Sequence, residues 1–374
     1  MRYYIIVGEA SGDLHASNLI KEIIKEDTNA EIRAWGGDLM KAQGAHIVKH
    51  YKDTAIMGWV GVLKNIFKIK ANIKFCCQNI EAWKPDVVIL VDYAGFNLRI
   101  AKFTHSIGIK TFYYISPKIW AWNTGRVKEI KAYVDKMYTI FPFETEFYAS
   151  YGYKVEYCGN PLVDAVTSYR VESEQEFRAK YNLTDKPIIA IVAGSRKQEL
   201  RYVLPIMLEM IDKFCDYQFV IAGAPSMSDE DYAPYVKGFD VKIIYGATYS
   251  LLAHSYAATV TSGTATLETS LFKVPQVVCY KGEGGVLSYL LFKYLVKVDY
   301  MTLGNLILGK ELVTELLMQK LSVKSLYMEL NLIINNKQKR DEIIDGYNEI
   351  IRKLGAPGAS SRFARLMIHD IKDK

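Results

Sequence analysis

Two carboxylates follow short apolar runs in the first half of the chain, where side chains able to move a proton would be presented to a ligand. Asp92 comes directly after Val87–Val91, a run typical of a buried strand. Open α/β sheets bind ligands outside the carboxyl ends of their strands. We therefore interpret Asp92 as a candidate general base that accepts a proton from a substrate hydroxyl. The alternative is an Asp that caps the next helix or turn.

The loop at 8–13 (GEASGD) follows the first apolar run and combines small residues with a second carboxylate, Glu9. Small residues let the backbone turn tightly and expose amides at a helix N-terminus, which suits an anion or a hydroxyl. Glu9 would face the crevice above the strand ends. Ser11 would either contact the substrate that accepts the transferred group or cap the helix. Asn97 would either orient a substrate hydroxyl or serve as a turn residue.

Aromatic residues follow a third apolar run. The segment 116–123 (SPKIWAWN) carries Trp120 and Trp122, two residues apart. Aromatic rings on loops can stack on sugar faces, so both are candidate acceptor contacts. Burial in a core is the alternative and the commoner outcome.

A nucleotide site is indicated in the second half of the chain. The loop Gly194, Ser195 and Arg196 follows the run 188–193, and Arg196 could bridge a diphosphate in a bidentate manner. A surface Arg is the alternative. Residues 262–268 place Ser262, Gly263 and Thr264 at a helix start, with Glu268 about one turn further on. Amides at such a start suit a phosphate, and the carboxylate suits ribose hydroxyls.

The composition indicates a folded chain of two domains. Its 374 residues exceed one ordinary domain, 50% are hydrophobic and 24% are charged. These values exclude a disordered or fibrous class, and no apolar run is long enough to span a bilayer. The net charge of +6 could attract phosphates or lipid head groups. No nucleic-acid-reading motif accompanies that charge, so we expect no nucleic-acid partner.

The cysteines predict neither a metal site nor disulfides. They are odd in number and lack the C-x-x-C spacing of metal ligands. This pattern is typical of buried thiols in a reducing compartment. The first apolar run is too short for a secretory signal, so we expect the protein to stay inside the cell. The five cysteines are Cys76, Cys77, Cys158, Cys215 and Cys279.

Short apolar runs alternate with helix-length segments, which predicts an α/β fold with parallel sheets. The polar stretch 168–186 marks the junction between an N-terminal domain, 1–167, and a C-terminal domain, 168–343. We expect the helices of 344–374 to pack back on the N-terminal domain. The expected strands are Tyr3–Val7, Val87–Val91, Lys110–Tyr114, Ile188–Ala193, Gln218–Ala222, Val241–Ile244 and Gln276–Val278.

Two stretches have the composition of helices that lie in a lipid interface. Residues 57–75 (MGWVGVLKNIFKIKANIKF) and 286–300 (VLSYLLFKYLVKVDY) mix large apolar side chains with Lys, and carry no acid before Asp299. The alternative is an ordinary amphipathic core helix with Lys on its wet face.

Several sequence motifs, in order, resemble the lipid-A-disaccharide synthase family over nearly the whole chain. The resemblance implies two Rossmann-like domains of the GT-B glycosyltransferase fold that face an interdomain cleft. The matching motifs are GEASGD at 8–13, MGWVGVL at 57–63, PDVVILVD at 85–92, YYISPKIWAW at 113–122, FPFE at 141–144, GNPLVD at 159–164, GSR at 194–196, SGTATLE at 262–268 and GNLILGKELVTELL at 304–317.

The resemblance implies an inverting hexosyltransferase that needs neither metal nor cofactor. It would transfer 2,3-diacylglucosamine from its UDP donor to 2,3-diacylglucosamine 1-phosphate, giving the β-1,6 disaccharide of lipid A and UDP. The enzyme would be cytoplasmic and peripheral on the inner membrane, and a homodimer is compatible with the family. On the family pattern, Asp92 stands at the position of the essential acid, and Glu9, Arg196, Glu268 and Asn305 stand at donor- or acceptor-side positions. We predict Asp92 and Glu9 as the catalytic residues and place Asn305 among the UDP-donor contacts.

The chain departs from the family pattern at the acceptor side. Where the family commonly reads D-A-P-D-F-N, residues 92–97 read DYAGFN, so the second Asp is absent. Two rival functions remain at this stage. One is another GT-B enzyme acting on UDP-N-acetylglucosamine, an epimerase or a lipid II glucosaminyltransferase. The other is a non-catalytic membrane protein that binds UDP or lipid.

Overall fold

The chain folds into two compact units in a computed structural model that describes residues 1–53, 66–282 and 298–373. The first unit comprises Met1–Asp164 and Ala356–Lys374, and the second comprises Ala165–Gly355. The sequence predicts the return to the first domain at 344, but residues 344–354 belong to helix Lys337–Leu354, which lies in the second unit together with Gly355. Gly355, with φ of +85°, ends that helix, so the chain leaves the second unit only at Ala356.

The first unit is built on a seven-stranded sheet in the order β3-β2-β1-β4-β5-β6-β7, with every pair parallel. The order reverses between β1 and β4, which pair directly, with Ile6 opposite Leu90. This point is where ligands enter open α/β sheets. The strands are β1 (Arg2–Ile6), β2 (Glu31–Gly36), β3 (His46–His50), β4 (Val87–Val91), β5 (Lys110–Tyr114), β6 (Lys136–Thr139) and β7 (Glu156–Tyr157).

Helices cover this sheet, and the first of them shows why the sequence needs them. Leu19, Ile20 and Ile23 of α1 are fully buried, and the C-terminal helix α17 packs against α1. The helices of the first unit are α1 (Ala10–Glu26), α2 (Asp38–Ala42), α3 (Ile66–Trp83), α4 (Ala94–Ser106), α5 (Ile119–Trp122), α6 (Val127–Tyr133), α7 (Pro142–Ala149), α8 (Pro161–Ser168, which runs into the second unit) and α17 (Ala359–Lys372).

The second unit has a six-stranded parallel sheet in the order β10-β9-β8-β11-β12-β13. Its order reverses between β8 and β11, where Val192 lies opposite Val260. The strands are β8 (Ile188–Val192), β9 (Gln218–Gly223), β10 (Lys242–Tyr245), β11 (Ser255–Thr261), β12 (Gln276–Tyr280) and β13 (Glu315–Leu317).

The helices of the second unit alternate with these strands. They are α9 (Glu174–Tyr181), α10 (Lys197–Leu208), α11 (Asp229–Val236), α12 (Thr248–Ala253), α13 (Thr264–Leu271), α14 (Leu303–Leu308), α15 (Val323–Asn335) and α16 (Lys337–Leu354). Single 3₁₀ turns cover Tyr51–Asp53 and Thr124–Arg126 in the first unit, and Ile211–Lys213 and Met318–Lys320 in the second.

All seven strands expected from apolar runs are confirmed within a residue or two at each end. Of the two lipid-interface stretches, residues 57–65 and 286–297 lie outside the described residues, and 66–75 open helix α3. None of the helices in the described part of the chain combines the length and apolar character that a bilayer crossing requires.

Candidate functional site

Asp92 and Glu9 occupy the same edge of the first sheet, because they follow two neighbouring parallel strands. Glu9 lies beyond the end of β1 and Asp92 directly follows β4, the strands between which the sheet order reverses. Both carboxylates are half-buried. Their mutual repulsion contributes to the electrostatics of Asp92, so the two groups act on one another.

The backbone at Asp92 is held in a conformation that residues other than glycine seldom adopt. Asp92 and Tyr93 have φ of +42° and +48°. The side-chain amide of Asn97 donates to the carbonyls of Val91 (3.1 Å) and Asp92 (2.9 Å), and the Tyr113 hydroxyl also donates to the Asp92 carbonyl. The surroundings thus fix a strained turn, as is common at functional sites.

Burial raises the pKa of Asp92 to about 6. The ammonium of Lys118 and the amide of Tyr93 oppose this rise, and the charge of Glu9 adds to it. A carboxylate with this pKa is ionised at neutral pH and is a stronger base than an ordinary Asp. Asp92 therefore has the protonation state that a general base requires.

Glu9 and Ser11 form a local pair at the start of α1. Glu9 is the N-cap residue, and its Oε1 accepts a hydrogen bond of 2.7 Å from the Ser11 hydroxyl. The ring of Tyr93 lies against Gly8, where an added Cβ would approach the ring carbons to 2.4 Å. The ring of Tyr93 thus packs against the loop that carries Glu9.

Two residues of this region were not predicted as important from the sequence. The buried carboxylate of Asp13 accepts from the amides of Gly37 (2.8 Å), Leu39 (3.1 Å) and Met40 (3.2 Å), so it caps α2 from a distance. Burial lowers the pKa of His15 to about 4, and its Nδ1 has no hydrogen-bond partner among the described residues. Asp13, the final residue of the 8–13 motif, therefore has a structural role through its bonds to the start of α2.

The structure gives different environments to Asn97, Trp120 and Trp122, the three other residues predicted to contact the acceptor. Asn97 is fully buried, and its amide is committed to the turn at Asp92, so the structure favours the turn-residue alternative. Trp120 is also buried, and its Nε1 donates to Glu144 (3.1 Å), which favours core packing. The side chain of Trp122 lies outside the part of the chain that the structure describes.

In the second unit, the loops at 194–196 and 262–264 follow the neighbouring strands β8 and β11. Gly194 has φ of +99°, and Arg196 is exposed. Glu199, which was not predicted, folds back onto this loop. Its carboxylate accepts from the Ser195 amide (3.0 Å) and pairs with Arg196 (3.5 Å).

The second loop provides a helix start and a carboxylate. Gly263 has φ of +154° and is the N-cap residue of α13, which begins at Thr264. Glu268, within α13, is half-buried, and burial raises its pKa. The Tyr249 hydroxyl donates to Glu268 Oε1 (2.8 Å). These features suit an anion at the helix start and hydroxyl groups at Glu268.

Asn305, predicted as a substrate contact, is fully buried and is used within its own loop. Its Oδ1 accepts from the amides of Leu312 (2.9 Å) and Val313 (3.2 Å), and its amide donates to the Val313 carbonyl (2.9 Å) and to Glu315 (3.0 Å). The side chain of Asn305 therefore stabilises this loop, and both of its polar atoms are hydrogen-bonded within the described residues.

One cluster of potential metal ligands lies at the end of helix α17, and the cysteines are dispersed along the chain. In the described ranges, His369, Asp370 and Asp373 are close enough together to offer three ligand atoms. Asp370 already accepts from the Tyr138 hydroxyl (2.6 Å) and pairs with Lys136 (3.2 Å). All five cysteines are free thiols.

Comparison with known proteins decides among the functions that the sequence leaves open. The family model described as lipid-A-disaccharide synthetase matches residues 3–365. The chain belongs to this family. It is 34% identical to the lipid-A-disaccharide synthase of Geobacter metallireducens, with 100% of this chain and 98% of that relative covered. It is 35% identical to the enzyme of the same name from Syntrophus aciditrophicus, with 98% and 97% covered.

Solved structures show the fold. The UDP-GlcNAc 2-epimerase of Neisseria meningitidis, bound to UDP-GlcNAc, has a TM-score of 0.71 and 14% identity, with 99% of this chain and 100% of that chain covered. A calicheamicin glycosyltransferase has a TM-score of 0.62 and 13% identity, with 100% and 99% covered. The chain therefore has the two-domain α/β GT-B fold. Family membership, rather than these distant likenesses, favours the synthase over the rival functions.

Proposed function

We propose that this chain transfers 2,3-diacylglucosamine from UDP-2,3-diacylglucosamine to 2,3-diacylglucosamine 1-phosphate, forming the β-1,6 disaccharide and releasing UDP. Membership of the lipid-A-disaccharide synthetase family supports this reaction. The main structural support for the proposed reaction is the position of Asp92. It is a half-buried carboxylate with a pKa of about 6 at the point where the strand order of the first sheet reverses.

In this proposal the first unit binds the acceptor and Asp92 is the general base. The acceptor's 6-hydroxyl oxygen forms a bond to the anomeric carbon of the donor while its proton passes to Asp92. Glu9 keeps Asp92 basic, since its negative charge opposes ionisation of its neighbour. Ser11, which is hydrogen-bonded to Glu9, would contact the acceptor from the same loop.

The second unit holds the donor. As the new bond forms, the bond from the anomeric carbon to the β-phosphate oxygen breaks, and UDP leaves with the electron pair. Arg196, together with the amides of Gly263 and Thr264 at the start of α13, would stabilise the negative charge on the diphosphate. Glu268 would accept hydrogen bonds from the ribose hydroxyls.

The product test is incubation of the purified chain with UDP-2,3-diacylglucosamine and 2,3-diacylglucosamine 1-phosphate, followed by mass spectrometry. The proposal predicts UDP and a disaccharide 1-phosphate in equal amounts, and no UDP without the acceptor. Epimerised donor as the product would instead indicate an epimerase. Donor binding without any conversion would indicate a non-catalytic protein.

We also infer that the chain works at a membrane surface, on the cytoplasmic face of the inner membrane where its lipid substrates would lie. Helix α3 supports this, because Phe67 is 82% exposed and Phe75 is 44% exposed. Lys68, Lys70 and Lys74 are exposed on the same helix. Vesicles with anionic lipid should retain the protein in sedimentation, and Phe67→Ser with Phe75→Ser should reduce retention.

A homodimer is proposed on family resemblance alone. Light scattering after size-exclusion chromatography would measure the mass directly. A mass near twice the 42.6 kDa of one chain is expected, and a mass of one chain would contradict it.

A further inference from the structure

Tyr249 contacts Glu268, the carboxylate that binds the donor's ribose in the proposed function. Its hydroxyl donates to Glu268 Oε1 over 2.8 Å, from the first turn of α12 to α13. A carboxylate has two oxygens with about four acceptor positions. Among the described residues this bond engages one oxygen of Glu268 and leaves the other able to accept from a ligand hydroxyl.

The ring of Tyr249 is itself held in place from two sides. Tyr169 meets it edge-on, with ring centroids 5.3 Å apart and planes at 81°. Phe272 packs at 5.3 Å on a tilted plane. The Tyr249 hydroxyl thus comes from a fixed ring, so the hydrogen bond restricts where Glu268 can point.

A second set of bonds anchors the residues that support this ring. The Tyr169 hydroxyl lies 2.9 Å from Ser250 Oγ, and Ser250 donates to the carboxylate of Glu172. His254 Nε2 lies 2.9 Å from the Glu172 carbonyl. Helix α12 is therefore bound to residues 169–172 through Ser250, in its middle, and through His254, its C-cap residue.

The charge of Glu268 also depends on Tyr249. Burial raises the pKa of Glu268, and the hydrogen bond from Tyr249 lowers it. A donor hydroxyl favours the ionised carboxylate, which is the stronger acceptor for ribose hydroxyls.

We propose that Tyr249 is a positioning residue that orients Glu268 so that its carboxylate recognises the ribose hydroxyls of the nucleotide donor. The proposal rests on the proposed function, in which Glu268 contacts the ribose. It adds a residue that controls selectivity for ribonucleotides without contacting the diphosphate.

The experiment compares the affinities of UDP, 2′-deoxy-UDP and 3′-deoxy-UDP by calorimetry. A hydrogen bond to a charged group is worth about 1.5 to 3 kcal/mol, so the unaltered protein should bind UDP at least about tenfold more tightly than one of the analogues. In Tyr249→Phe, UDP affinity should fall about tenfold while the affinity for that analogue changes little. The selectivity ratio should therefore shrink to within about threefold.

Two further variants separate positioning from packing. Tyr169→Phe removes a hydroxyl from the same cluster but keeps the ring against Tyr249, so selectivity should stay as in the unaltered protein. In a Glu268→Gln background, adding Tyr249→Phe should change selectivity no further, because the two residues act as one unit.

Retention of full ribose selectivity by Tyr249→Phe would overturn the proposal. Equal weakening of all three ligands would also overturn it, since Tyr249 would then only support packing. A failure of the proposed ribose contact of Glu268 is recognised separately, from the affinities of the unaltered protein alone. If that protein binds UDP and both analogues equally, Glu268 does not read the ribose, and both claims are wrong.

Discussion

At the scale of single residues, the account depends on the charge of Asp92. Because burial raises its pKa to about 6, Asp92 is ionised above that pH and protonated below it. Only the ionised form can accept a proton. We therefore expect kcat/KM to be constant above about pH 7 and to fall about tenfold per pH unit below about 6.

The control for this pH profile is Glu144, another carboxyl of the first unit, whose pKa burial raises to about 7. Glu144→Gln should leave the acidic limb of the profile in place. If the limb disappears in Glu144→Gln, then Asp92 is not the group that titrates.

The raised pKa of Asp92 also predicts a stability effect. The folded-state pKa of about 6 exceeds the ordinary 3.8, so the folded state binds more protons and loses stability as pH rises through this window. The shift of about two pH units corresponds to about 3 kcal/mol. Asp92→Asn, which also tolerates the positive φ, should raise the melting temperature by several degrees at pH 7.5 and by little at pH 4.

The sequence predicted Asp92 and Glu9 at one sheet edge because strand ends follow from apolar runs and a general rule of α/β sheets. It could not decide the roles of Asn97, Trp120 and Asn305. Each has a residue type that suits either a ligand or the interior, and only tertiary packing shows that all three are buried. Tyr249 gave no local signal either, since its bond to Glu268 joins two helices.

At the scale of elements, the loop between β8 and α10 depends on a close contact. An added Cβ at Gly194 would lie 2.2 Å from Glu199 Oε2, so Gly194→Ala should displace the carboxylate that binds the Ser195 amide and Arg196. We expect the KM for the UDP donor to rise at least about tenfold, equivalent to 1.4 kcal/mol, with kcat less affected.

Gly238 provides the matched control for this substitution. Its φ of +94° is close to the +99° of Gly194, but an added Cβ there meets no atom within 4 Å. Gly238→Ala therefore carries a similar backbone cost without the clash. Equal effects of both substitutions on donor KM would show that backbone strain, and not the Glu199 contact, matters.

Element bounds were predictable where apolar runs are continuous, as in β4 and β5. Strands β2, β3, β6, β7, β11 and β13 were not predicted. Charged residues interrupt β2, β3 and β6, whereas β7 and β13 have only two and three residues, and β11 (SYAATVT) consists mostly of small and hydroxyl-bearing residues. Their place in the sheet comes from pairing with neighbours, which a single stretch of sequence does not encode.

At the scale of the whole molecule, the C-terminal helix completes the first unit. The Asp164 carboxylate accepts from the amides of Gly358 (2.6 Å), Ala359 (3.1 Å) and Ser360 (2.8 Å) at the start of α17. At its other end, Lys110 donates to backbone carbonyls, including that of Asp370 (2.9 Å). Helix α17 is thus fixed at both termini.

Loss of this cap should weaken the first unit. Asp164→Ala leaves amides at the start of α17 without their acceptor, at a cost of about 2 kcal/mol. Calorimetry should show the melting temperature of the first unit lowered by roughly 4 to 8 °C. Asp345→Ala, at an exposed position of α16, is the control and should change it little. No difference between the two variants would contradict the capping role.

The most direct test of the central claim is the rate of UDP release by Asp92→Asn when both substrates are saturating. General base catalysis typically contributes about 10²- to 10⁴-fold, so we predict a loss of that size while the Kd for UDP stays within about twofold. A rate within tenfold of the unaltered enzyme would contradict the account, because proton transfer would then not depend on Asp92.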